Sequence, residues 1–521
     1  MDADVLIVGA GPTGLMLANQ LARRGVRSMI VERHSGPSLQ TRALGVQART
    51  LEIYSHLGLA ERAIALGKRG VGARMWASGH PMAFVPLGEA GAEASPYPYI
   101  LVLGQDDNER LMGERLREEG VEVQWGTSLS ALEQHADHVL ATLTTADGGT
   151  RKISAQWVAG CDGSRSGVRK LSGIEFPGAP YEQVFFVADV EATGSMVADE
   201  VNVFLWRSGF HLFFPMRGAD HWRIVGILPR EMREREDVAF DDVVGSLRGE
   251  AGTNLSFSHC SWFSTYRIHH RHAARFRQGR CFVLGDAAHV HSPVGAQGMN
   301  TGLQDAYNLA WKLSLVVQNE AEPSLLDSYE AERLPVARRL LSTTDRGFQL
   351  VVSDNPLAGI LRTQVLARIG ALAMRLKAVQ RMVFRTVSQT GLHYRGSALS
   401  ANAEKLPGSA PQAGDRFPWL HLALDRHSGV QDSFRALDDT HFHLLLFGQP
   451  MPQGNNPFGD LMRVHAVPQS SVNALEMKRH GIPKRSFYLL RPDGHVGLCG
   501  TDFSPARLEA YARENLRLMH T

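Results

Sequence analysis

The chain has 521 residues, 44% hydrophobic and 21% charged, and its 55 basic and 53 acidic side chains leave a formal charge of +2. That length predicts two to four domains with ample core, and the even charge balance argues against a nucleic-acid partner. Cys161, Cys260, Cys281 and Cys499 show neither paired nor metal-ligand spacing, and no apolar run reaches membrane-spanning length, so a metal-free protein in the reducing cytoplasm, without signal peptide or membrane partner, is expected.

Asp4 to Val8 is a short apolar run that reads as a buried parallel strand. Gly9-Ala10-Gly11-Pro12-Thr13-Gly14 follows, and Leu15, Leu17, Ala18, Leu21 and Ala22 then recur at helical spacing up to Gly25. A second strand, Ser28 to Val31, delivers Glu32 and Arg33. Strand, glycine turn, helix, strand and acid form the order of a dinucleotide site. Gly9 permits the tight turn, Gly11 lets a pyrophosphate approach the backbone, and Gly14 lets helix and strand pack closely. The free amides of the helix N-terminus attract phosphate. Glu32 can accept from ribose hydroxyls and disfavours a 2′-phosphate, so this site suits FAD or NAD better than NADP. An ordinary turn would share the glycines without the rest of the order.

Lys68 to Tyr99 carries Gly, Pro and aromatic residues and reads as an excursion that adds strands to another layer. The second motif is Cys161-Asp162-Gly163-Ser164-Arg165-Ser166. After it, Tyr181 to Glu191, Glu200 to Trp206, Phe210 to Met216 and His221 to Leu228 read as neighbouring antiparallel strands. Alternation sets His211, Phe213 and Pro215 on one face and Leu212, Phe214 and Met216 on the other, without fixing which face is inward. His211, Phe213 and Arg223 are the candidate substrate-pocket residues; no catalytic residue is assigned. His269, His270 and His272, interleaved with Arg267 and Arg271, lack the spaced ligands of a metal site and read as the edge where strand meets loop.

Cys281 to Leu284 is an apolar strand that ends at the third motif, Gly285-Asp286-Ala287-Ala288-His289. Its acid falls at the C-terminal end of a strand, where open α/β sheets bind ligands. Beyond Pro293, Gly295 to Asn300 opens a long helix whose apolar face includes Leu303, Ala306, Leu309, Ala310 and Leu313. Asp286 and Asn300 as plain helix caps is the alternative. Asp286 beside His289 invites a charge relay; a ligand-binding carboxylate next to a histidine at the helix start is the simpler reading. Between Asn355 and Asn402 there is no acid, while Arg362, Arg368, Arg375, Lys377, Arg381 and Arg385 accompany apolar residues at helical spacing. Packing of this cationic stretch on its own protein is expected ahead of membrane binding. A last domain follows Pro407 to Pro418, with strands at His441 to Phe447 and Arg463 to Val467. It adds a hairpin, Ser486 to Leu490 and His495 to Leu498, about Pro492-Asp493-Gly494, and a closing helix, Pro505 to Met519.

Taken together, the three motifs resemble those of the group A flavoprotein monooxygenases, the aromatic hydroxylases with the para-hydroxybenzoate hydroxylase fold. Val158 to Arg169 resembles that family's DG motif, Arg280 to His289 its GD motif, and Pro293 to Gly302 the segment after it, over roughly residues 1–390. Ala296 departs from the family, where many members carry glycine. The resemblance implies tightly bound, non-covalent FAD, with Asp286 on the ribityl chain and the backbone of Gly298 and Met299 at the pyrimidine edge. It also places Arg42 and Gln105 at further contacts. The expected cofactor set is therefore Gly9, Gly11, Pro12, Thr13, Gly14, Glu32, Arg33, Arg42, Gln105, Asp162, Gly163, Gly285, Asp286, Pro293, Gly298, Met299 and Asn300.

The fold class expected is α/β: a Rossmann-like FAD domain interleaved with a mostly antiparallel substrate sheet, then a C-terminal α/β domain that resembles thioredoxin. The FAD domain takes residues 1–70, 98–175 and 270–395, the substrate domain 71–97 and 176–269, and the last domain 405–521. Without a Cys-x-x-Cys, disulfide exchange is not expected there.

The resemblance further implies that NADPH or NADH reduces the flavin and that O2 is the co-substrate. A flavin C4a-hydroperoxide would then hydroxylate a phenolic or polyketide-type aromatic. No second glycine fingerprint is present, so the nicotinamide cofactor binds transiently, with Arg42 and Arg165 as family-based candidates for its phosphates. Oxygenation of a complex natural product or antibiotic, Baeyer–Villiger insertion beside a ketone, and a flavin dehydrogenase are the other readings. A monomer or homodimer is expected.

Overall fold

Ala3–Val8, the first apolar run of the chain, lies fully buried in the middle of a parallel sheet. The computed structural model describes residues 1–38, 43–77, 79–206, 209–235, 237–251, 254–291, 297–352, 370, 372–425, 429–453 and 456–519. Arg42, Pro293, Gly295, Ala296, Arg362 and Arg368 lie outside these residues.

Around Ala3–Val8 the strands run in the order Arg277–Gln278, Cys281–Val283, Thr150–Gly160, Ala3–Val8, Ser28–Val31, Val123–Gln124. Val8 is in register with both Gly160 and Val31, and Gly160 with Val283, all in parallel. Four strands thus end at one level, and the chain leaves them as Gly9, Asp162, Glu32 and Asp286. Motifs scattered over nearly three hundred residues are gathered by strand register alone, at the edge where α/β sheets bind ligands. Helix Pro12–Ala22 packs between this sheet and helix Gly298–Val317, with Leu15, Met16, Leu17, Ala18 and Leu21 in the core.

A second sheet runs His289–Val290, Ser256–His272, Gly178–Thr193, His221–Ile227, Gly209–Pro215, Glu200–Trp206, Gly72–Ala77, His80–Val85. It is antiparallel except where Glu200–Trp206 meets Gly72–Ala77. The four central strands are aromatic and β-branched on both faces because both are covered. One face, with Phe186, Phe204, Phe213, Trp222 and Ile224, is closed by Phe240, Val243 and Leu247 of helix Phe240–Ala251. The other, with Phe185, Phe210, Phe214, Val225 and Ile227, meets Leu44 and Val102. The histidine-rich segment forms the end of Ser256–His272, where Arg271 and His272 pair with Val290 and His289.

The C-terminal sheet runs Ala401–Asn402, Val496–Gly500, Ser486–Leu490, Phe442–Phe447, Met462–Val467, with helices Ser471–Arg479 and Pro505–Glu514. The last helix stops short of Met519 because Arg517 takes a left-handed φ of 57° and Leu518 bridges to Ala321. Phe442, Leu444 and Leu446 share one core with Trp311 and Leu315 of helix Gly298–Val317. A buried ionic network adds to this junction. Glu332 accepts from Arg491 at 2.6 and 3.0 Å and from Lys312 at 2.8 Å, all three side chains fully enclosed. Burial alone would raise Glu332, but Arg491 and Lys312 outweigh it and hold the acid well below its ordinary range. Burial likewise brings Lys312 down to about 8. Arg49 donates to the Asp493 carbonyl at 2.6 Å, and Arg416 grips Glu52 at 2.6 and 2.9 Å.

Of the cationic stretch, helix Lys377–Val387 is described. Its Phe384 is buried against Leu87, Ala90 and Ile100, and Arg381 reaches Glu93 at 3.3 Å. This part packs on its own protein. Among the described residues no helix is long and apolar enough to cross a membrane.

Candidate active site

The glycine turn is shaped by close approach. Gly9 has φ +105°, and a Cβ there would lie 2.3 Å from the Cys161 carbonyl oxygen; one on Gly14 would lie 1.9 Å from the Gly9 carbonyl oxygen. Around Gly11, in contrast, no described atom beyond its own residue and its chain neighbours lies within 4 Å of the Cβ position, which leaves room beside the first amides of helix Pro12–Ala22. The helix has Gly11 at its N-cap and no side-chain cap, so its amides remain available to an anion. Thr13 closes the inner wall: its hydroxyl would sit 2.5 Å from a Cβ on either Gly285 or Gly302. The first and third motifs therefore touch.

Glu32 is fixed on both oxygens, accepting from Ala10 N–H at 2.9 Å and from His34 N–H at 3.0 Å. It holds a carboxylate beside the glycine turn, where ribose hydroxyls of a dinucleotide would lie. Arg33 next to it is exposed. Asp162 accepts from Gly167 and Val168 N–H through Oδ2, at 2.6 and 3.2 Å, which secures the start of helix Gly167–Leu171. Its Oδ1 is buried without a partner among the described residues, and burial pushes its pKa up. Arg169 joins this loop to the next, donating to Ser164 and Ala287 carbonyls at 2.8 Å each.

Asp286 sits in the short turn Gly285–Ala287 and is exposed, while Gly285 and Ala287 on either side are buried. His289 pairs with Asp305 at 2.8 Å, so the relay suggested by its neighbour in sequence does not form. Asp305 also accepts the Gly285 N–H at 3.0 Å and Arg333 Nε at 2.6 Å; Arg333 in turn reaches the Tyr394 hydroxyl at 2.8 Å. Burial would raise Asp305, but Arg333 and then His289 hold it below the usual carboxylate range. Sequence reading passed over Asp305 and Arg333, since a charge inside an apolar helical run looks like a solvated position until its partner, from another helix, is known.

Gly298 and Met299 occupy the first turn of Gly298–Val317, half-buried, and that turn has no side-chain cap. Asn300 is fully buried and held at both the oxygen and the nitrogen of its amide. It accepts from Gln47 N–H at 2.9 Å and the Thr50 hydroxyl at 2.7 Å, and donates to the Gly45 carbonyl at 2.7 Å. Its side chain thus fixes where the helix begins. Gln105 starts helix Gln105–Glu118 and donates to Glu109 at 2.8 Å.

The three pocket candidates of the second sheet separate. Phe213 packs on the helix-covered face, and His211, on the same side, stacks with Trp206 and lies near Phe186. Both lie on the face turned away from Leu44 and Val102. Arg223 is on the opposite face, paired through two hydrogen bonds with Asp189 and lying 5.3 Å from the Trp262 ring centroid. On that face Met75, Val203, Leu212, Met216, Trp262 and Tyr266 stay only partly buried.

A glycine turn with room for a pyrophosphate and a fixed carboxylate beside it define a dinucleotide-binding protein. The chain belongs to the FAD binding domain family, whose model matches residues 2–344. It is 34% identical to 6-methylpretetramide 4-monooxygenase of Streptomyces rimosus over 97% of this chain and 93% of that one. It is 35% identical to the rifampicin monooxygenase of Streptomyces venezuelae, covering 96% of each. Among solved structures, the anhydrotetracycline hydroxylase of Streptomyces rimosus superposes with a TM-score of 0.77 at 30% identity, over 99% of both chains. The protein is an FAD-dependent aromatic monooxygenase, and the arrangement of its first two sheets is that of the aromatic hydroxylases. FAD, when bound, accepts hydride from a nicotinamide and passes electrons to oxygen.

Proposed function

We propose that this enzyme uses NADPH or NADH and oxygen to hydroxylate a polycyclic, polyketide-type phenol held between the second sheet and the flavin. The observation that carries this reading is the inner sheet face, where Met75, Leu212, Met216 and Trp262 remain partly exposed although the face is turned to the first domain. Wide apolar and aromatic surface of this kind suits a planar multi-ring ligand better than a single ring. The relatives named above as acting on a pretetramide and an anhydrotetracycline support the same class. In this reading Gly9, Gly11, Pro12, Thr13, Gly14 and Glu32 hold the dinucleotide half of FAD. Asp286, with the first amides of Gly298–Val317, holds the ribityl and ring portions, and Arg33, Gln105, Asp162 and Gly163 line the remainder. Asn300 contributes by placing that helix. The exposed Arg165 is the described candidate for nicotinamide phosphates. Four free cysteines, three of them buried, suit a reducing cytoplasm.

The test is NADPH oxidation in air across phenols and polycyclic polyketides, with hydrogen peroxide quantified. One compound that accelerates oxidation while peroxide stays far below NADPH consumed establishes coupled hydroxylation. Peroxide equal to NADPH with every compound rejects it. A second reading, oxygenation of a finished antibiotic, is favoured by the similarity to a rifampicin monooxygenase, and the same panel with rifamycins separates the two.

A further inference from the structure

The inner face of the second sheet carries charge in an unusual place. One row of side chains across it reads Trp262, Asp189, Arg223 and Phe214, set by direct register between neighbouring strands. Arg223 is 4% exposed, and its Nε and one Nη both donate to the two oxygens of Asp189. The guanidinium lies beside Trp262, whose ring remains partly exposed. A bidentate arginine–carboxylate pair has no net charge and fixed geometry. Removing water from it is costly, so its place on an otherwise apolar face needs a reason other than stability.

We propose that the Asp189–Arg223 pair sets the charge of the substrate: the face it occupies is neutral, and the space beneath takes an uncharged polycyclic phenol and rejects an aromatic carboxylate. The proposal rests on the hydroxylation reading above. A lone arginine at this position would recruit a carboxylate as its counter-ion. With Asp189 already bound, an incoming carboxylate must displace it or be buried unpaired, and both are costly. A neutral ring loses nothing by lying on Trp262 beside the pair.

The experiment uses the FAD-loaded enzyme at pH 7 and equilibrium dialysis with two probes, 1,8-dihydroxyanthraquinone and its 3-carboxylate. Wild-type enzyme is expected to prefer the neutral probe by about tenfold or more. Asp189→Asn keeps the shape and removes the carboxylate charge beside Arg223, so the preference is expected to shift toward the carboxylate by at least about tenfold. The double variant Asp189→Leu/Arg223→Met, neutral again, is expected to return to the wild-type preference. FAD content equal to wild type establishes that each variant is folded. An unchanged ratio in folded Asp189→Asn overturns the role of the pair alone. Failure of both probes to bind any of the three proteins overturns the polycyclic-phenol reading itself.

Discussion

Asp305 accepts the backbone N–H of Gly285 at 3.0 Å, so the loop that presents Asp286 is anchored from inside the following helix. The anchored residue is buried and the presented one exposed. Loop and helix are therefore placed as one piece, with Asp305 inside it and Asp286 at its surface.

Asp286→Ala is expected to purify with little FAD while the apoprotein loses less than about 1 kcal/mol, because the side chain is exposed. Flavin absorbance per protein and urea unfolding of the apoprotein measure the two effects. Normal FAD occupancy would remove Asp286 from the cofactor site.

Asp305→Ala strands Arg333 and His289 in the core and is expected to destabilise the apoprotein by about 3–5 kcal/mol. Asp305→Asn, which can still accept from Gly285, is expected to fold better, to bind FAD more weakly than wild type and to shift the flavin reduction potential. An Asn variant with unaltered affinity and potential would make Asp305 purely a core residue.

Glu32→Ala removes the acceptor of the Ala10 and His34 amides and is expected to weaken FAD by at least about tenfold, leaving affinity for an aromatic ligand of the residual holoenzyme near wild type. Isothermal titration of the apoenzyme with FAD gives the first number. The reverse pattern would mean that the glycine turn serves another ligand.

Phe213→Ala is expected to cost about 3–5 kcal/mol of stability with little change in substrate affinity, since Phe213 packs under helix Phe240–Ala251. Phe214→Ala, on the inner face, is expected to weaken substrate binding. Comparison of ligand Kd for the two variants decides the face.

Burial lowers His443 from about 6.5 to about 4. Between those values the unfolded chain holds a proton that the folded chain does not, so stability falls as pH drops through that window, by up to about 3 kcal/mol. Burial shifts His465, His480 and His495 the same way. Tm measured from pH 7 to 4.5 is expected to decline, and His443→Gln to flatten the slope; an unaltered slope in that variant would place the acid sensitivity elsewhere.

The gathering of the three motifs was legible because each couples a residue type to a strand end. Gly9, Glu32 and Asp286 follow apolar runs whose C-terminal ends must lie together in a parallel sheet. Face assignment in the second sheet was not legible. Period-two alternation separates Phe213 from Phe214 but is symmetric when both faces are apolar, and only the covering helix Phe240–Ala251 breaks the tie. The buried partners of Glu332 were also beyond reach, because Arg491 comes from a hairpin about 160 residues away and such pairs leave no spacing signature.

The Glu332–Arg491 contact has a consequence for engineering. A chimera that takes its last domain from another enzyme inherits whatever stands at the Arg491 position, and an apolar residue there would strip Glu332 of its bidentate arginine and leave it to Lys312, Asn308 and Ser397. Recombination breakpoints placed in the Pro407–Pro418 segment, where the chain looks easiest to cut, would divide a shared interior. Productive swaps would have to carry helix Gly298–Val317 and Glu332 along with the final domain, which makes the unit of exchange larger than the unit of folding suggested by the sequence.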